Sequence, residues 1–139
     1  MIKYNHMIGD YMLRVKIDDN IYVLPMSELY EEKFAQFIND GIIDFTSLRG
    51  EELYSNINNL FRWVANSMCM FDEDDGYPND LYDEKKEIRK RMDSVDRLQN
   101  HFAELKEFDK SISIIKKFLV LMLEHYGKLM NIDAQERVF

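Results

Sequence analysis

From Asn79 to Tyr126 the chain contains neither glycine nor proline, and its apolar residues return every three or four positions. The series runs Ile88, Met92, Val95, Leu98, Phe102, Leu105, Phe108, Ile112, Ile115, Leu119, Met122, Tyr126 and on to Leu129. That spacing predicts helix with one buried face across the C-terminal half. A single helix over 80–129 would be roughly 75 Å long at about 1.5 Å per residue, which suits a coiled coil better than a compact body. The seam slips between Phe102 and Phe108, where two steps of three follow each other. Asp109 and Ser111, residue types that cap helix N-termini, stand just beyond the slip. A tight helical hairpin near 109–111 is therefore expected in place of a continuous helix.

The first 25 residues carry the other periodicity. Tyr11, Leu13, Val15 and Ile17 alternate with Met12, Arg14 and Lys16, the pattern of a half-buried strand. Asp18-Asp19-Asn20 reads as a turn, with Ile21 to Leu24 returning as the partner strand. Ile2, Tyr4, His6 and Ile8 alternate as well, so a three-stranded meander is a natural extension. Pro25 ends the sheet signal because it has no N–H to donate.

Two helices are expected over 26–70. Ser27 is a candidate N-cap, and Leu29, Phe34, Phe37 and Ile38 supply an apolar face. Asp40-Gly41 closes the first helix, with Gly41 as its left-handed C′ residue. Ile42 to Phe45 forms a short apolar link, and Thr46 or Ser47 opens the next helix. There Leu53, Ile57, Leu60, Phe61, Val64 and Met68 share a stripe. An acidic loop covers 71–79, rich in Asp, Gly, Pro and Asn, and 131–139 reads as a tail. The expectation is one domain over 1–139, α+β and predominantly α: an N-terminal antiparallel hairpin or meander followed by about four helices in a bundle.

Within Ile112–Leu129 a second stripe, Ile114, Phe118 and Leu121 with His125 at its end, lies beside the first. At about 100° per residue the two are about 90° apart. Either this helix is wrapped on two sides by its own chain, or one stripe, with Phe118 and Leu121, belongs to a homodimer seam or a partner surface.

Charge narrows the partners. With 26 Asp and Glu against 18 Lys and Arg the net charge is −8. Direct nucleic-acid binding and anionic membranes are disfavoured, because both need clustered cations. A basic or nucleic-acid-binding protein is the better match. The longest apolar run, Phe118 to Leu123, is far short of the ~20 residues of a membrane span. Cys69 is the only cysteine, so no intramolecular disulfide forms, which points to a reducing cytoplasm. The N-terminus has no secretory h-region. Abundant Ile, Asn, Lys, Asp and Tyr suggest an AT-rich bacterial or phage genome.

No pattern of residues implies a catalytic centre, a cofactor or a metal. Asp72, Glu73, Asp74 and Asp75 fail the EF-hand template: Gly76 at its sixth position puts Phe71 at the first and Tyr82 at the twelfth. Arg97 and His101 share a helix face. Helical ribonucleases of the HEPN class place a catalytic arginine and histidine on one helix, but with a longer gap than Leu98-Gln99-Asn100. His101 and Glu104 reverse the order of the Glu-x-x-His of di-iron bundles. Cys69 sits among acids, which raise a thiol pKa. Lys85, Lys86, Arg89, Lys90 and Arg91 read as a solvated face balanced by Asp83, Glu84 and Glu87.

The sequence thus favours a non-enzymatic, acidic protein-binding protein, of the inhibitor or immunity type. Its expected contact residues are Asp72, Glu73, Asp74, Asp75, Tyr77 and Tyr82 on the acidic segment, Trp63, and Phe118 and Leu121. The alternatives are a helical ribonuclease using Arg97 and His101, or an acidic decoy that imitates the DNA backbone.

Overall fold

A computed structural model of the chain describes residues 13–24, 32–69, 79–131 and 133–136. Among them lie five short strands, β1 (Arg14–Ile17), β2 (Asn20–Val23), β3 (Ile38–Asn39), β4 (Ile42–Asp44) and β5 (Gln135–Glu136). Three long helices accompany them, α1 (Gly50–Cys69), α2 (Asn79–Glu104) and α3 (Phe108–Met130). The class is α+β and mostly helical, with three long helices in place of about four.

The alternation in β1 sets its faces. Leu13, Val15 and Ile17 are buried while Arg14 and Lys16 are only partly so. β1 and β2 form the expected hairpin, closing on Ile17 opposite Asn20 with Asp18 at a positive φ of 55°. The candidate strand over 2–8 lies outside the described residues.

The segment expected to be the first helix departs from the sequence reading. Its start, with Ser27 and Leu29, is not among the described residues. Helix is present at Glu32 and Lys33, but the backbone tightens to a 3-10 turn at Ala35–Phe37 and becomes strand at Ile38. Asp40 and Gly41 have φ of 55° and 77°, and Asn39 pairs with Ile42 across them. Two consecutive left-handed residues make a tight hairpin turn, which Asp-Gly favours strongly between apolar flanks. Gly41 therefore turns a hairpin where a helix cap was expected. The apolar link Ile42–Phe45 supplies β4, which runs parallel to β1 with Val15 opposite Ile43. Within the tail Gln135–Glu136 form strand: β5 pairs with β2, completing the order β3-β4-β1-β2-β5.

α1 begins at Gly50, later than Thr46 or Ser47, because Asp44 captures that stretch. Its carboxylate accepts from the Thr46 N–H (2.8 Å) and hydroxyl (2.6 Å), an Asx turn that holds the chain out of helix. These bonds also lower the Asp44 pKa, the hydroxyl first.

The helical hairpin is present, with its break a few residues before the expected 109–111. Lys106 takes a left-handed φ of 60°. Its N–H donates to Ala103 O (2.9 Å) and that of Glu107 to Phe102 O (2.8 Å). This is a Schellman closure of α2, built on a lysine where glycine is usual. α3 starts immediately, and Ser111, buried, donates its hydroxyl to the Gln99 carbonyl at 2.6 Å.

α3 is the centre of the core. Ile112, Ile115, Leu119, Met122 and Tyr126 are buried, as are Phe118, Leu123 and His125. α1 and α2 pack against it, and β2 touches it too. Lys116 reaches Asp18, at the β1–β2 turn, at 2.8 Å, and Leu123 lies two turns along that same face. The helix is thus covered by its own chain from three directions. Phe118 is withdrawn from the proposed partner stripe, because it packs edge-on against Phe61 of α1 at 6.0 Å.

Two stability outcomes follow. Replacing the left-handed Lys106 by glycine removes Cβ strain of about 1 kcal/mol, so Lys106→Gly should raise the urea midpoint. Phe118→Ala should cost about 3 kcal/mol or more in the same unfolding measurement; a surface residue would cost far less.

Candidate functional site

Three features of the α1–α2–α3 assembly combine polar or exposed groups in ways the sequence periodicity does not demand. One is a polar layer between α1 and α2. Gln99 is 0% exposed although it sits on the core side of α2. Its amide nitrogen donates to Asn100 Oδ1 (3.1 Å), Asp96 Oδ1 (3.2 Å) and Asn58 Oδ1 (3.3 Å). Its Oε1 has no hydrogen-bond partner among the described residues. Tyr54 donates to Asn100 at 3.4 Å, and Arg62 pairs with Asp96 at 2.8 Å. Burial raises the Tyr54 pKa, so its hydroxyl remains a proton donor. A cleft of about 240 Å³ opens beside this layer, lined in part by Phe61, Arg62, Met92 and Asp96. Arg62 and Asp96 are engaged with each other there, and such an open pair contributes about 0–1 kcal/mol.

A second cluster joins the start of α2 to the end of α3. His125 is 1% exposed, with Nδ1 3.7 Å from Glu84 Oε1. Glu84 also holds Lys128 at 3.1 Å, and Lys85 is buried nearby on the next position of α2. Lys85 is therefore not part of a solvated basic face, as the sequence suggested. Burial lowers the His125 pKa most; Glu84 opposes that effect, while Lys128 and Lys85 add to it. The imidazole is consequently neutral in the folded protein at neutral pH.

The third feature is apolar and open. Leu98 is 48% exposed and Leu105 56% exposed, the two large apolar side chains most open to solvent among the described residues. Half-buried Phe102 lies between them at helical spacing, with the Lys110 ammonium 5.3 Å from its ring centre.

The sequence-expected contact residues are not gathered into one site. Asp72, Glu73, Asp74, Asp75 and Tyr77 lie outside the described residues, and of Tyr82 only the backbone, in the first turn of α2, is described. Trp63 and Leu121 are half-buried and packed against the core. Arg97 and His101 are both exposed on α2, and the His101 ring lies tilted beside Phe102 at 5.6 Å. No group of three or more His, Cys, Asp or Glu residues positioned to hold a metal occurs among the described residues. No described helix is long and apolar enough to cross a membrane. No family model, curated protein or solved structure matches the chain.

Sequence reasoning missed Gln99, Ser111 and the buried state of His125. A signal for Gln99 existed: it replaces an apolar residue one position from Leu98, on the side that continues Ile88, Met92 and Val95.

The His125 environment has a pH consequence. Its folded pKa lies below the unfolded value of about 6.5, so below that pH the unfolded chain takes up a proton that the native state resists. The stability that neutral His125 supports is complete above pH 6.5 and declines as the pH falls toward the folded pKa. Urea titrations at pH 7.5 and 5.5 should show a loss on acidification that is smaller in His125→Leu.

Proposed function

We propose that this chain is a non-enzymatic protein that binds and blocks or scaffolds another protein, in the manner of small acidic inhibitors and immunity proteins. The observation that carries the reading is the open Leu98–Phe102–Leu105 row. A lone exposed leucine is ordinary. Three large apolar residues at i, i+4 and i+7 form a contiguous strip, and such strips mark contact surfaces more often than solvent-facing ones. The net charge of −8 supports the same reading through steering toward a partner of complementary charge. The acidic run Asp72–Asp75 would supply a second contact, toward a basic or nucleic-acid-binding protein.

A specific observation also bears on the ribonuclease alternative: Arg97 and His101 are both accessible on α2. They stand on a convex helix surface, however, whereas small-molecule and catalytic sites are concave. The binding reading is tested with photo-crosslinking residues placed at 98 and 105, and at exposed Glu51 of α1 as a control. In cells of the source organism the first two should capture one common protein and the control should not. Capture by none of them, together with RNA cleavage that His101→Ala abolishes, would replace binding by catalysis.

A further inference from the structure

The two ends of the α2–α3 hairpin are held together by different chemistry. At the turn, the Ser111 hydroxyl donates to the Gln99 carbonyl, and the Lys106 and Glu107 N–H groups close α2 onto Ala103 and Phe102. None of those groups gains or loses a proton near neutral pH. At the far end the link runs through ionisable side chains. Glu84 of α2 holds Lys128 of α3, and the fully buried His125 imidazole faces the same carboxylate.

Glu84 does not serve its two neighbours equally. Its Oε1 is 3.1 Å from Lys128 Nζ but 3.7 Å from His125 Nδ1, longer than a hydrogen bond. Lys85, next to Glu84 on α2, is buried as well. An imidazolium formed here meets one carboxylate, already engaged, and two ammonium groups, in a site closed to water. The other elements packed on α3 bring no counter-charge among the described residues. From Trp63 to Ser67 α1 has no ionisable residue, and β2 has only Tyr22, a phenol that is neutral in this range. Glu124, beside His125 in sequence, is exposed to solvent. Burial, the largest effect on His125, favours the neutral ring, and Lys128 and Lys85 act in the same direction. Water relieves such a charge once the first turns of α2 lift from α3, and that movement leaves the turn end untouched.

We propose that mild acid opens this hairpin from its far end. Protonation of His125 releases the first turns of α2, around Glu84 and Ile88, from α3, while Ser111 and Gln99 keep the turn end closed. The hairpin is then a proton-sensitive hinge that opens locally, ahead of global unfolding. This property is independent of the binding reading.

Amide hydrogen exchange on the full chain, read residue by residue by NMR, resolves the two ends. Protection is compared at pH 7.5 and 5.5 after correction for the intrinsic pH dependence of exchange. An opening that exposes an imidazole of ordinary pKa, about 6.5, is favoured by up to about tenfold over that interval. Protection at 84–92 should fall by about that factor, while protection at 99–104 and 111–115 should hold. The fall should persist in His6→Ala/His101→Ala, which leaves His125 as the only histidine, and should vanish in His125→Leu. The double variant carries the test even if His125→Leu does not fold. A loss shared equally by both ends would show global unfolding and overturn the hinge. Protection at 84–92 that is unchanged or raised at pH 5.5 would do the same, as would a fall that survives in His125→Leu.

Discussion

Burial of α3 is the interaction on which the rest of the molecule depends. Ile115, Leu119 and Leu123 are all fully removed from solvent, and they sit on a helix that α1, α2 and β2 all reach. Each such side chain is worth roughly 1.5–3 kcal/mol on burial. The polar links at its edges, Lys116 to Asp18 and Lys128 to Glu84, are partly solvated and contribute far less. They orient the helix, while the hydrophobic term holds it. The sheet and α1 share one core because both lie against this element.

The turn at Lys106 converts a long helical segment into two antiparallel neighbours and thereby fixes what each side of the seam presents. Schellman bonds satisfy the last carbonyls of α2. The Ser111 hydroxyl on the Gln99 carbonyl then locks the axial register at the turn end, and Glu84 with Lys128 does so at the far end. A shift of one residue along either helix would break these contacts and expose the His125 environment. The polar layer around Gln99 follows from the same register. Its hydrogen bonds have direction and reach, so unlike apolar packing they tolerate few alignments of α1 with α2.

Electrostatics act on two length scales in this chain of net charge −8. The chain as a whole is acidic, and along the outward sides of α2 and α3 Arg91 and Lys110 stand beside the carboxylates Glu87 and Glu107, while Leu98 and Leu105 remain open. Net charge governs long-range approach, whereas the local pattern governs which contact survives desolvation.

Much of the architecture is legible in the residues alone. The β1 alternation, the stripe of α1 and the helical hairpin are all local patterns written in side-chain periodicity, and the helices obey them. Other elements were decided by partners distant in sequence. Asp40-Gly41 suits either a helix end or a hairpin, and the pairing of β4 with β1 selects the hairpin. Gln135–Glu136 become β5 because β2 offers an open edge, a condition invisible in the local sequence. Periodicity marks Phe118 as a partner-contact candidate because it tells how many faces a helix buries, not what buries them; here Phe61 does. The same limit explains Leu98 and Leu105, which continue the apolar series of α2 but fall to the side of the face, marked by buried Gln99, that α1 and α3 cover. Periodic spacing thus determined the secondary structure, since it depends on helix and strand geometry alone. Which apolar faces are closed and which remain open was settled only by tertiary packing, because burial depends on the neighbours the fold brings into reach.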